Sequence, residues 1–276
     1  MTRIFGVIGH PIAHSLSPAM HTAALKALRV DAVHSAFDVP PRFVRPMLRA
    51  FTLAGVDGLN VTVPLKEAVM PLMHRFDASA KTIGAVNTIV IRNRRLTGYN
   101  TDGIGFLRAV RELGWRPRPT QALLLGAGGA AKAVAWELSR VRGMRLTIAN
   151  RHQARAAQLV RWLKRHRPSA YVHSVAWVRA SGAARGAGLV VNATTVGMKP
   201  RDRAPIDPAS LQRGTIVYDL VYHRETALVR LARRRGCVAA NGVSMLLYQG
   251  AESLRLWLHR APPINIMRRA LERALR

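Results

Sequence analysis

The chain has 276 residues, of which 49% are apolar, a length that suits one large domain or two of ordinary size. Its one cysteine, Cys237, excludes an intrachain disulfide, and no apolar run approaches the ~18 residues of a membrane helix. Against 14 acidic residues stand 43 basic ones, a formal net charge of +29, so a nucleic-acid partner has to be weighed.

RIFGVIG (3–9) reads as a short apolar strand, and the start lacks a signal peptide's basic region and long apolar core. SPAMHTAALKALRV (17–30) reads as a helix, with Ser17 as its cap and Pro18 in the first helical position. A strand at 34–39, a helix at 41–55 and a strand at 58–63 follow. The helix begun at 67–74 bends at Pro71. Residues 84–92 and 95–100 form a pair of strands around a polar turn. A helix is expected over 103–113, a connector at RPRPT (116–120), then a strand, a glycine turn and a helix within 121–140. Strands at 145–150, 188–194 and 215–221 and helices at 153–166, 245–259 and 264–275 complete the chain, and Cys237 reads as a small strand residue. The alternation of strand and helix gives an α/β fold whose second half is a parallel sheet with covering helices.

GAGGAA (126–131) is G-x-G-x-x-A between an apolar strand and a helix. Gly126 allows the tight turn, Gly128 lets a pyrophosphate approach the backbone, and Ala131 permits close helix–sheet packing. The helix start offers free N–H groups to phosphate. At the end of the next strand an acid would hold the ribose hydroxyls of NAD. Here stand Asn150, Arg151 and His152, then Arg155, which favour the 2′-phosphate of NADP.

Of the 43 basic residues only six are lysine, and one of them, Lys66, directly follows the strand-like run NVTVPL. Lysine can exchange its proton at accessible pH and arginine cannot, so a proton-transfer site would require the lysine. NTDG (100–103) reads either as a helix start capped by Thr101 or Asp102, or as a carboxylate facing Lys66. Ser15 and Ser17 in SLSP read either as a cap or as a carboxylate site. His10, His14 and His21 are broken up by Pro11 and Pro18 and joined by no acids or cysteines, so no metal site is expected. The arginines are scattered and carry no stacking aromatics, so nucleic-acid binding is the less favoured reading of the charge.

PIAHSLSP, NVTVPLK, GAVNT, GYNTDG, LLGAGGAA, ANR, NATTVGM, YDLVY and NGVSMLLYQGAESL, in this order along nearly the whole chain, resemble the shikimate dehydrogenase family. The resemblance implies two domains with a cleft between them: an α/β substrate-binding domain of residues 1–102 plus 244–276, and a Rossmann-type NADP-binding domain of residues 103–243. It implies an enzyme that reversibly reduces 3-dehydroshikimate, a small anion, with NADPH; the want of a signal peptide and the single cysteine make the expected protein cytoplasmic, metal-free by the reading above, and a monomer or homodimer. Lys66 and Asp102 match the catalytic pair. Ser15 and Ser17 match the substrate-carboxylate serines, Thr62, Asn87 and Gln249 match positions that bind ring hydroxyls, and Tyr222 matches a further substrate contact. Gly126, Ala127, Gly128, Gly129 and Ala130 match the phosphate turn, Asn150, Arg151 and Arg155 the 2′-phosphate clamp, and Leu220 and Gly242 contacts near the nicotinamide.

His152 replaces the family's usual threonine, the segment after Tyr222 is one residue shorter than usual and lacks a proline, and GVSM (242–245) replaces GLGM. These departures leave two alternatives standing: a quinate-type paralogue with another substrate or cofactor, and a basic Rossmann-type nucleic-acid binder without catalysis.

Overall fold

The computed structural model describes residues 2–275, which divide into two compact units, one made of the residues up to 105 and those from 246 on, the other of residues 106–245. The chain passes from the first unit into the second within one helix and returns within another.

Unit 1 begins with β1 (Arg3–Gly9), α1 (Ser17–Ala27), β2 (Ala32–Asp38), α2 (Val44–Leu53) and β3 (Gly58–Val61). α3 (Leu65–Ala68), β4 (Arg75–Phe76), α4 (Ala78–Ile83), β5 (Thr88–Arg92) and β6 (Arg95–Tyr99) follow. The sheet order is β2-β1-β3-β5-β6-β4. β1 runs parallel to β2 and β3, whereas β5 is antiparallel to both β3 and β6. Asn93 and Arg94 turn the β5–β6 hairpin with φ of 49° and 58°, the backbone that a two-residue hairpin twisting with its strands requires.

α5 (Asp102–Glu112) leads into unit 2, which holds β7 (Gln121–Leu125), α6 (Gly129–Ser139), β8 (Arg145–Ala149), α7 (Gln153–His166) and β9 (Tyr171–Val175). α8 (Ala180–Ala184), β10 (Leu189–Asn192), β11 (Ile216–Asp219), α9 (Ala227–Arg234) and β12 (Val238–Ala240) complete it. All five pairings in the order β12-β11-β10-β7-β8-β9 are parallel, and the central strands read as apolar runs because consecutive residues, which point to opposite faces, are both buried. α10 (Val243–Leu258) carries the chain back to unit 1, where α11 (Ile264–Ala274) packs on α1 and buries Met267, Ala270 and Leu271, one stripe of the helix.

Several local expectations shift. Ser17 does not cap α1: Leu16 holds that place without a side-chain bond, and Pro18, which has no N–H, removes one of the donors a cap would serve. α5 starts at Asp102 and takes its cap from Asn100, whose Oδ1 accepts the Asp102 N–H at 3.1 Å. The expected strand at 84–92 is confined to Thr88–Arg92, because Gly84, at φ 69°, ends α4 in the left-handed region. Pro71 reduces the helix expected at 67–74 to α3 and a 3₁₀ turn at Met70–Leu72. Cys237 precedes β12, with its thiol directed at the Gln212 carbonyl.

Behind the unit 1 sheet lies an unusual polar inclusion. The rings of His21 on α1 and His34 on β2 stack with centroids 4.6 Å apart, beside Trp257, and among the described residues no imidazole nitrogen of either has a hydrogen-bond partner. Burial drives both histidines toward the neutral form, His34 down to about 4. Trp257 itself is fully buried, stacks on Phe5 at 4.8 Å and donates Nε1–H to the Ile89 carbonyl at 3.0 Å.

Candidate active site

β3 ends at Val61, and Thr62–Pro64 turns directly into α3, which sets Lys66 in the first turn past the strand end. Thirty-odd residues of strand, helix and hairpin separate Lys66 from Asp102 along the chain, yet Lys66 Nζ lies 2.6 Å from Asp102 Oδ2. Asp102 is brought there by the end of β6 and the start of α5. The lysine side chain is 17% exposed and the carboxylate 5%, so the pair is shielded from bulk water while the ammonium stays reachable.

The other oxygen of Asp102, Oδ1, accepts from Asn87 Nδ2 at 2.8 Å. The carboxamide of Asn87 has a fixed orientation, since its Oδ1 accepts the backbone N–H of Thr101 at 2.8 Å, an unambiguous donor. Gln249 on α10 joins the same cluster: its Oε1 lies 3.3 Å from Asn87 Nδ2 and its carbonyl accepts from Thr101 Oγ1 at 3.0 Å. Lys66, Asp102, Asn87 and Gln249 thus form one hydrogen-bonded constellation in unit 1. It presents an ammonium, a carboxylate and two carboxamides, groups suited to a ring bearing several hydroxyls.

Ser15 and Ser17 lie together at the start of α1, with Ser15 Oγ accepting the Ser17 N–H at 3.3 Å. Thr62 is half-buried, and its methyl presses on Gly9 closely enough that a Cβ there would be 2.5 Å away. Among the described residues, no hydrogen bond joins the side chains of these three to the lysine constellation. Thr101, Thr88 and Ser253 belong to that constellation and were missed as site residues. Thr101 and Thr88 stand inside motifs noted in the sequence, NTDG and GAVNT; for Ser253, one serine in a helix, the sequence carries no signal.

In unit 2 the turn after β7 has Gly126 at φ 110°, and a Cβ on it would lie 2.8 Å from the Ala193 carbonyl oxygen. Both facts restrict the position to glycine. Gly128 precedes α6, which has no side-chain cap, and a Cβ on Gly128 or Gly129 would meet nothing within 4 Å. The helix start is therefore open to a phosphate, while Ala131 is fully buried against the sheet. Just past β8, Asn150 Nδ2 donates to the His152 carbonyl at 3.0 Å, and Arg151 and Arg155 are exposed. No acidic residue occurs between Glu137 and Asp202, so nothing near in sequence repels a 2′-phosphate. These residues fit NADP.

Leu220 and Gly242 adjoin each other, because a side chain on Gly242 would collide with the Leu220 carbonyl, and the Gly242 N–H donates to the Val221 carbonyl. The loop they flank is anchored by Asp219, fully buried, which accepts from Thr226 Oγ1 at 2.7 Å, Asn192 Nδ2 at 2.9 Å and the Val221 N–H at 3.1 Å. Burial raises its carboxyl above the ordinary range. Tyr222, half-buried, begins the segment that continues into α9, and burial also raises its phenol. A cavity of about 390 Å³ opens at the amino ends of β7, β10 and β11, lined among others by Arg116, Arg118 and Arg213; none of the expected site residues lines it. Among the described residues no group of three or more potential ligands could hold a metal, and no helix is long and apolar enough to cross a membrane.

Comparison with known proteins fits this layout. The family model for the shikimate dehydrogenase substrate binding domain matches residues 7–89, and that for the shikimate 5′-dehydrogenase C-terminal domain matches 242–272. A third, the saccharopine dehydrogenase NADP binding domain, matches 122–254. The shikimate dehydrogenase (NADP(+)) of Symbiobacterium thermophilum is 45% identical, over 99% of this chain and 95% of that protein. A crystal structure of a shikimate dehydrogenase in complex with NADP+ superposes with a TM-score of 0.94 at 34% identity, over 100% of this chain and 96% of the other. The Thermus thermophilus shikimate 5-dehydrogenase in complex with NADP(H) and shikimate gives 0.89 at 37% identity, over 99% of this chain and 100% of the other.

Proposed function

The chain belongs to the shikimate dehydrogenase family, and from that premise we propose that it catalyses the reversible NADPH-dependent reduction of 3-dehydroshikimate to shikimate, with Lys66 and Asp102 as the catalytic pair. The observation that carries this reading is the 2.6 Å contact between Lys66 Nζ and Asp102 Oδ2 beside the carboxamides of Asn87 and Gln249. Residues 1–102 with 244–276 are the substrate domain and 103–243 the cofactor domain, an assignment supported by compact units whose bounds fall within a few residues of these.

When bound, NADPH supplies the hydride. Gly126 to Ala130 would hold its pyrophosphate and Asn150, Arg151 and Arg155 its 2′-phosphate, with Leu220 and Gly242 as the contacts for its nicotinamide end. As the ketone is reduced, negative charge builds on its oxygen, and the Lys66 ammonium gives that oxygen a proton. In the oxidising direction the neutral amine takes the hydroxyl proton. Asp102 fixes the lysine with one oxygen and accepts from a ring hydroxyl. Asn87, Gln249 and Thr62 orient the other hydroxyls, Ser15 and Ser17 hold the carboxylate, and Tyr222 is a further substrate contact. The single cysteine suits a reducing compartment and so a cytoplasmic site of action.

The test follows nicotinamide absorbance with shikimate and NADP, then with quinate, then with NAD. Turnover should be highest with shikimate and NADP. A preference for quinate and NAD would assign the chain to the quinate-type reading. No turnover, with DNA retention that salt removes, would favour the nucleic-acid reading. Lys66→Ala should lower kcat by about 10²- to 10⁴-fold with little change in KM; wild-type turnover in that variant would refute the role of Lys66.

A further inference from the structure

Thr88 and Ser253 are fully buried, and both lie in unit 1 beside the catalytic cluster. Ser253, on α10, shares its helix with the buried Leu247, Ala251, Leu254 and Trp257, yet it carries a hydroxyl. A helical serine ordinarily satisfies itself by bonding the carbonyl one turn back, and the Gln249 carbonyl does lie 3.1 Å from its Oγ. Three further polar atoms make that simple account insufficient. Asn60 Nδ2 lies 2.9 Å from Ser253 Oγ, Thr88 Oγ1 lies 2.7 Å from it, and Thr88 Oγ1 in turn lies 3.0 Å from Asn87 Oδ1.

Each hydroxyl has one proton, which decides the direction of the chain. Asn87 Oδ1 can only accept, so the proton of Thr88 must point at it. The alternative leaves two bare acceptors 3.0 Å apart in a buried site, an arrangement that buried polar atoms avoid. Thr88 Oγ1 then accepts from Ser253, and Ser253 accepts from Asn60. Thr101 Oγ1 donates to the Gln249 carbonyl, which relieves Ser253 of that duty. From donor to acceptor the bonds run Asn60 to Ser253, Ser253 to Thr88, Thr88 to Asn87 and Asn87 to the Asp102 carboxylate, and each bond polarises the next.

We propose that Thr88 and Ser253 are positioning residues for the catalytic pair: acting through Asn87, they fix the Asp102 carboxylate in the orientation that aims Lys66. The proposal rests on the reading of Lys66 and Asp102 as the reacting pair. Two donors, the Thr101 N–H and the Thr88 hydroxyl, hold the Asn87 carbonyl, so its amide must face Asp102 Oδ1, leaving Oδ2 for Lys66. Without the Thr88 hydroxyl a methyl group would meet Asn87 Oδ1, and the carboxamide would tilt away from Asp102.

Thr88→Val, Thr88→Ser and Ser253→Ala test this in the full-length chain. Thr88→Val should lower kcat about tenfold while KM for shikimate moves less than about threefold, and Thr88→Ser should restore most of the loss. Ser253→Ala should fall between them. A role in stability alone would lower the melting temperature and leave kcat of the folded protein unchanged. Independently of turnover, the Asn87 side-chain amide ¹H–¹⁵N signal, assigned by its loss in Asn87→Ala, should shift in Thr88→Val and Ser253→Ala and return in Thr88→Ser. Wild-type kcat in folded Thr88→Val, failure of Thr88→Ser to recover activity, or an unmoved Asn87 signal would each overturn the proposal. Should the wild-type chain not oxidise shikimate at all, the reaction assigned above falls, and the amide signal alone decides whether the two hydroxyls orient Asn87.

Discussion

His21 and His34 show how a pair of side chains can set the acid limit of a protein. Burial holds both toward the neutral form in the folded chain, and the neighbouring Asn60 side chain, which favours the charged form, has no charge with which to offset it. The folded-state value of His34 is near 4, against an ordinary 6.5 that the unfolded chain regains. The unfolded state therefore binds more protons between these limits, and stability present above pH 6.5 is lost as pH falls toward 4. His34 alone accounts for up to about 3 kcal/mol of that loss. Urea unfolding at pH 7 and pH 4.5 should show it, and His34→Leu should flatten the dependence. The sequence grouped His21 with His10 and His14, its neighbours along the chain, whereas the fold sets it against His34 because α1 packs on β2. The proposed catalytic pair, Lys66 and Asp102, was legible for a different reason. A lysine after NVTVPL and an aspartate in NTDG are recognisable where they stand, but their meeting depends on where two elements end, which spacing does not encode.

Legibility at the level of elements followed hydrophobic pattern. The central strands of unit 2 are long apolar runs, and α7 buries Ala156, Leu159, Val160 and Leu163 at helical spacing, so both could be read. β9 buries only Val172, and α9 presents a face of just Leu228, Val229 and Ala232 amid arginines, so neither stands out in the sequence, while the three residues of β12 are foreshadowed only by Cys237, which reads as a strand residue just before them. The segment after Tyr222 read as a shortened loop; it is in part the entry to α9, capped by Thr226, whose Oγ1 accepts the Val229 N–H at 3.3 Å. The glycine turn was legible because its demands are steric. Gly126→Ala combines a left-handed φ of 110° with a Cβ 2.8 Å from the Ala193 carbonyl oxygen. It should cost about 2 kcal/mol or more in thermal unfolding and raise KM for NADP far more than KM for shikimate. In unit 1, Trp257→Ala removes the stack on Phe5 and the bond to Ile89, and should cost about 3–5 kcal/mol in urea unfolding.

For the molecule as a whole, charge is the dominant feature. With 14 acidic residues for 43 basic ones, most cationic side chains have no carboxylate of their own, and the field around the protein is positive. Both proposed ligands are anions, so this field should assist their capture. KM for shikimate and for NADP should rise by about threefold or more between low salt and about 0.5 M KCl, with kcat nearly constant, because salt shortens the reach of exposed charges. A kcat that fell in parallel would point instead to salt acting on the reacting groups.

The division of unit 1 between the two ends of the chain has a consequence for biogenesis. β5 receives its bond from Trp257, and α1 receives its cover from α11, only after the last thirty or so residues have been made. On the ribosome, the cofactor-binding unit is complete in sequence before the first hundred residues can finish their core. A nascent chain arrested near residue 245 should therefore resist protease over its middle and be cut readily in its amino-terminal third.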